Sequence, residues 1–149
     1  MFHRKKQSAR ILVIDDDTTV LIAFRALLER AGYQVRTAGS ALEGLETARV
    51  WSPEAILLDI RMPNVNGLEA LELLRVDPAS REALIIAFSG HLGPADVARV
   101  RRLGFDGLVE KGGEPLEALR SLRDALAARS LVPELSGVAA EALQRRDVG

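Results

Sequence analysis

No cysteine occurs anywhere in the 149 residues, which excludes disulfides, thiolate metal sites and a thiol nucleophile. Long apolar runs are missing too; the longest fall far short of the roughly 20 residues a membrane helix needs. Charge of one sign is not in excess. The formal net charge is -1, and no stripe of Lys and Arg stands out, so a direct nucleic-acid partner is not expected. Residues Met1 to Lys6 are basic, but no apolar stretch follows before Ser8, so they do not read as a secretory signal. They read as part of a solvated basic extension over 1–9. The cytoplasm is the expected location.

Hydrophobic residues make up 48% and charged ones 28%, ordinary values for a globular chain of one domain. Arg10 to Ile14 is a short apolar strand that runs into Asp15-Asp16-Asp17. Asp17 or Thr18 can cap the next helix, where Val20, Leu21, Phe24, Leu27 and Leu28 recur at steps of three and four. Gly32 is placed to end that helix. Tyr33 to Thr37 reads as a second strand. Ser40 and Glu43 have the spacing of a capping box, so a helix is expected from about Ala41 to Val50. Trp51 and Pro53 close it.

The third strand, Ala55 to Leu58, ends on Asp59 and a loop, Ile60 to Asn66, that Gly67 closes. Leu68, Leu71, Leu73 and Leu74 belong to a third helix, stopped by Asp77-Pro78. Ala83 to Phe88 is a fourth strand with Ser89-Gly90 at its end. A weaker, more polar helix is expected from Pro94 to Leu103, with Val97, Val100 and Leu103 at spacing three and Gly104 as its stop. Gly107 to Glu110 is a fifth strand, followed by Lys111. Pro115 suits the first turn of a last helix, with Leu116, Leu119, Leu122 and Leu126 along one face. From Arg129 to Gly149 the pattern weakens, and Pro133 and Gly137 interrupt it. A linker or tail is expected there, after a domain spanning 10–128.

Five apolar strands alternating with five helices imply an α/β, doubly wound (βα)5 fold: a five-stranded parallel sheet with helices on both faces. Reactive groups in such a sheet belong outside the carboxyl ends of its strands. Asp15, Asp16, Asp59, Ser89 and Lys111 all fall there. Carboxylates gathered in space repel one another unless a hard cation sits among them, and Mg²⁺ prefers oxygen ligands. A carboxylate nucleophile, a cation and a lysine together suit phosphoryl transfer, where positioning and charge stabilisation carry most of the work.

These same residues carry a family resemblance. Ile11 to Asp17, Leu57 to Gly67, Ile85 to His91 and Gly104 to Lys111 resemble, in order, the four signature stretches of the receiver domain of bacterial two-component response regulators. The likeness runs from about Ala9 to Ala128, and the family's fold is flavodoxin-like. It implies that Asp59 accepts a phosphoryl group from a sensor histidine kinase or phosphotransfer protein. It implies that Asp15, Asp16, Asp59 and the Arg61 backbone carbonyl hold Mg²⁺ (or Mn²⁺), Asp15 through water. Ser89 and Lys111 would bind the phosphoryl oxygens, and slow autodephosphorylation would follow. Arg61 and His91 would sit at the rim and tune the site. His3 is too far from every motif to assign.

Two positions depart from the family pattern. Leu108 stands where an aromatic ring usually reports the movement of the hydroxyl, which would alter the output surface. Gly112-Gly113 follows Lys111 where the family usually places a proline after a cis bond; without the proline the cis form is largely lost, and the loop gains freedom. A receiver-like interaction module with impaired switching therefore stays open as an alternative. So does a haloacid-dehalogenase-type phosphatase, because Asp15-Asp16-Asp17-Thr18-Thr19 fits its Asp-x-Asp-x-Thr string with Asp15 as nucleophile. The output partner is not legible, and a monomer or weak homodimer is expected.

Overall fold

Short apolar segments and the helices between them assemble into a single parallel sheet. The computed structural model describes residues 8–62, 67–90 and 94–131. Its elements are β1 (Arg10–Ile14), α1 (Thr18–Arg30), β2 (Gln34–Ala38), α2 (Ala41–Trp51), β3 (Ala55–Asp59), α3 (Gly67–Val76), β4 (Leu84–Ser89), α4 (Pro94–Arg102), β5 (Gly107–Glu110) and α5 (Pro115–Leu131). The strand order is β2-β1-β3-β4-β5, with every neighbouring pair parallel. The order reverses between β1 and β3, and a crevice at the carboxyl edge opens at that switch point. Asp15 and Asp59 border it.

Both faces of the sheet are buried, so the central strands are near-continuous apolar runs between Arg10 at the start of β1 and Asp59 and Ser89 at the ends of β3 and β4, and they divide their side chains by parity. Leu12, Ile14, Ile56, Leu58, Ile85 and Ala87 pack toward α2, α3 and α4. Ile11, Val13, Leu57, Ile86 and Phe88 pack toward α1 and α5, where they meet Leu21, Phe24, Leu28 and Leu122. Full burial of a leucine such as Leu28 or Leu74 contributes about 1.5–3 kcal/mol.

Helix ends follow the sequence signals with small shifts. Asp17 caps α1 by accepting from the Thr19 N–H at 2.9 Å. Gly32, at φ +101°, closes the helix in a Schellman arrangement: its N–H donates to the Glu29 carbonyl, and the Tyr33 N–H donates to that of Leu28. Tyr33 is thus engaged by the helix end, and β2 runs from Gln34 to Ala38 rather than from Tyr33 to Thr37. Half of the expected capping box forms, with Ser40 Oγ accepting from the Glu43 N–H; the Glu43 carboxylate reaches one residue further back and accepts from the Gly39 N–H. α2 extends through Trp51 because Ser52 supplies a left-handed cap at φ 49°, and Arg10 donates to the Ser52 carbonyl.

β4 is shifted to Leu84–Ser89, which brings Ser89 inside the strand. α4 ends at Arg102, one residue early, and only Val100 of its three spaced apolar residues is buried. Leu116 is 69% exposed and does not share the buried face of α5; its turn precedes the part of the helix that packs on the sheet. α5 continues through Leu131, so Arg129 to Leu131 are helical. The basic start before Ser8, with His3, and the stretch after Leu131 lie outside the described residues. No helix among the described residues is long and apolar enough to cross a membrane.

Candidate functional site

The carboxyl edge of the sheet gathers the polar residues. The Asp15 N–H donates to the Ala38 carbonyl at 3.1 Å, carrying the β1–β2 pairing one residue past the strand. On the far side, the Lys111 N–H donates to the Ser89 carbonyl at 2.8 Å and extends β4–β5 in the same way. Asp59 is the last residue of β3, opposite Phe88 of β4, and Ser89 follows one position beyond. Asp15, Asp59 and Ser89 are buried, and Asp16 is exposed.

Asp15, Asp16 and Asp59 each offer a carboxylate oxygen, and these oxygens lie within 4.8 Å of one another. Lys111 reaches into the group from β5's end. Its Nζ stands 2.5 Å from Asp15 Oδ2 and 3.2 Å from Asp59 Oδ2. Apart from the Lys111 ammonium, this fully buried Asp15 oxygen has no partner among the described residues. A buried anionic oxygen in that condition suits a cation ligand. The donor set is all oxygen, with one exposed member, and so fits a hard divalent cation that keeps some of its water.

Burial pushes the Asp59 carboxyl above its ordinary range, and the Asp15 carboxylate adds to the push. The Arg61 N–H and Lys111 work the other way without cancelling it. For Lys111, burial alone would lower the pKa, but bonds to Asp15 and Asp59 outweigh burial and raise it. Anions in excess of cations define the site's electrostatics.

Of the residues expected from sequence, Asp15, Asp16, Asp59 and Lys111 come together directly. Arg61 contributes its N–H to Asp59 Oδ1 at 2.9 Å and leaves its side chain exposed. Leu108 lies on β5, half-buried against the α2–α4 side of the core and away from the carboxylates. No cis peptide bond occurs among the described residues, and the Lys111–Gly112 bond is trans. His91 and the loop residues Pro63 to Asn66 lie outside the described residues. After Lys111 the described residues hold only α5, so the further acidic strand end that a haloacid-dehalogenase site requires is missing among them.

One participant escaped the sequence reading. The Phe88 ring lies 5.2 Å from Lys111 Nζ, within cation–π range. Phe24 packs edge-on against Phe88 at 4.5 Å and fixes that ring. The signal was a strand-end aromatic beside a hydroxyl, which periodicity alone reads as core.

Comparison with known proteins agrees with this geometry. The chain is 33% identical over 101 residues to the polar-differentiation response regulator DivK of Brucella ovis, covering 68% of this chain and 82% of that one. It is 33% identical over 131 residues to the nitrate/nitrite response regulator protein NarL of Escherichia coli, covering 87% of this chain and 60% of that one. Among solved structures, a CheY-like receiver domain protein from Methanospirillum hungatei superposes with a TM-score of 0.72 at 27% identity, over 83% of this chain and 97% of that one. The receiver domain of the sensor histidine kinase PA1611 from Pseudomonas aeruginosa, solved with a magnesium ion in its active-site cleft, shares the fold. It is 23% identical, with a TM-score of 0.72 over 80% of this chain and 98% of that one. The sequence profile of the response regulator receiver domain matches residues 11–123, and the chain belongs to that family.

Proposed function

We propose that Asp59 is the phosphoacceptor of a two-component relay, taking a phosphoryl group from a histidine kinase or phosphotransfer protein. The observation that supports this most is the grouping of Asp15, Asp16 and Asp59 around Lys111 at the topological switch point. An Asp59 carboxylate oxygen attacks phosphorus as the bond from phosphorus to the donor nitrogen breaks, and the electron pair leaves with the imidazole. The product is an aspartyl phosphate. A divalent cation, Mg²⁺ or Mn²⁺, held by Asp15, Asp16, Asp59 and the Arg61 carbonyl, would neutralise phosphoryl charge. Lys111, already paired with the carboxylates, pairs with a phosphoryl oxygen, and the Ser89 hydroxyl bonds another.

Phosphorylation would bias a two-state balance and reshape a partner surface around α4, β5 and α5. Leu108 supports a second reading, an interaction module whose switching is impaired, because a leucine has no broad ring to exchange between buried and exposed positions. Acetyl phosphate with Mg²⁺, followed by peptide mapping, tests the first reading. Label on Asp59, lost in Asp59→Asn, is expected; label on Asp15 would sink it. Beryllofluoride separates the two readings: amide shifts confined to the acidic pocket favour the module, and shifts reaching α4 favour the switch.

A further inference from the structure

The helix α4 leaves apolar surface uncovered beside the phosphoacceptor loop. Leu103 just past its end is 39% exposed and Val97 is 38% exposed, although both lie at helical spacing from buried Val100. Leu103, though not Val97, lines a groove of about 180 Å³ between α3 and α4. Its floor is Ile60, Leu68, Val100 and Phe105, and Leu103 forms one edge.

Two exposed arginines line the groove: Arg61, from the loop after Asp59, and Arg99, from α4. Among the described residues neither is paired with a carboxylate, whereas Arg10, Arg25, Arg49, Arg75 and Arg129 each have an acidic partner. Arg101 and Arg102 share the last turn of α4 with Arg99. Favourable interaction with the helix C-terminus accounts for cations in that turn. It does not account for an apolar cleft between two of the unpaired ones. The groove is also too small for a nucleotide or another drug-sized ligand, whose sites run to about 300–1,000 Å³. It has room for one large apolar side chain, the size of an interface anchor.

We propose that this groove docks a segment of a partner protein that carries one large apolar side chain flanked by carboxylates. The anchor fills the cleft over Val100 and Phe105, and the flanking acids pair with Arg61 and Arg99. Charge complementarity selects the occupant: an apolar segment without acids would leave two guanidinium groups unmatched, and a basic one would be repelled. The site is separate from the β5 face of Leu108, and docking does not require phosphorylation. It does share a backbone segment with the phosphoacceptor, since the Arg61 N–H is bonded to Asp59.

The test is an amide NMR titration of the unphosphorylated full chain with the peptide acetyl-Glu-Glu-Leu-Trp-Glu-Asp-amide. Saturable shifts at Leu68, Arg99, Val100 and Leu103 are expected. A peptide with lysines in place of the acids, and one with alanines in place of Leu-Trp, should produce none. Arg99→Glu should weaken binding roughly fivefold to tenfold, and Arg99→Lys should retain most of it. Raising salt to about 0.5 M should weaken it as well. Both variants should keep the parent Tm, and acetyl phosphate should still label Asp59, so a folding defect or a failed phosphoacceptor is recognised separately. Equal binding of the lysine peptide, shifts on β5 and α5 instead, or no shifts at millimolar peptide would overturn the proposal. So would sedimentation showing that a second copy already covers this face.

Discussion

Asp15 and Asp59 hold the same posture at the ends of neighbouring strands: Oδ1 of each accepts from the backbone N–H two residues on, at 2.9 Å, and Oδ2 turns to Lys111. The Asx-type bonds fix where the carboxylates point. One lysine then faces two buried anions, with Asp16 close by. The cluster is short of positive charge, and that shortage decides its response to mutation, metal and pH.

The raised Asp59 pKa means that the fold disfavours its ionised form. For an acid shifted this way, the favourable contribution belongs to low pH. It is lost as pH rises from the unfolded value, 3.8, through the raised folded one. Asp59→Asn should therefore stabilise the metal-free protein at neutral pH by on the order of 1 kcal/mol, a rise of a few degrees in Tm. The gain should shrink toward pH 4. Thermal unfolding at the two pH values checks both statements.

A divalent cation should have the opposite dependence. Mg²⁺ held by the native cluster and not by the unfolded chain, as proposed above, should at about 100 times its Kd add about 2.7 kcal/mol of stability. Asp15→Asn and Asp16→Asn should abolish most of that increment. Affinity should fall as pH drops through the raised Asp59 pKa, since a protonated carboxyl is a poor ligand. Calorimetric titration with Mg²⁺ across the acid range reads this directly.

The fold class and the gathering of Asp15, Asp16, Asp59 and Lys111 at one edge of the sheet were legible because they rest on local signals. Strands were runs of apolar residues ending on acids, and caps such as Ser40-Glu43 announced themselves by spacing. The contacts that stayed hidden join residues distant in sequence with no period between them. Arg75 donates to Asp106 at 2.7 Å and to the carbonyls of Ala83 and Gly104, while Asp106 also accepts from the Ile85 N–H. That network ties α3 to β4 and to the turn before β5, yet in sequence it is one charged residue among many. Leu116 failed for a related reason: spacing puts it in line with Leu119 and Leu122, but it stands exposed in the first turn, ahead of the residues of α5 that pack on the core.

Lys111→Met should destabilise the metal-free protein by about 1–3 kcal/mol, less than the loss expected for a fully buried pair because the lysine keeps some solvent contact. The sign with pH is the reverse of that for Asp59. The folded pKa of Lys111 is raised above its ordinary 10.5, so its contribution is complete below that value and lost as pH climbs through the folded one. Parent and variant should therefore converge in strongly alkaline buffer. Denaturant unfolding at neutral and alkaline pH measures the gap, and a constant gap would rule out the ion pairs as its source.

Two glycines separate general stability from the geometry of the site. Gly32 has φ +101° and nothing within 4 Å of an added Cβ, so Gly32→Ala should cost about 1 kcal/mol through backbone strain alone. Gly67 begins α3, and a Cβ there would lie 2.5 Å from Ile60 Cα and 2.8 Å from the Asp59 carbonyl oxygen. Those are backbone atoms, so the Asp59 segment itself must move. Gly67→Ala should cost about 1–3 kcal/mol of stability. It should also weaken Mg²⁺ binding and slow labelling by acetyl phosphate, whereas Gly32→Ala should leave both unchanged. Measured side by side, equal losses of Mg²⁺ affinity in the two variants would show that the close approach of α3 does not position Asp59.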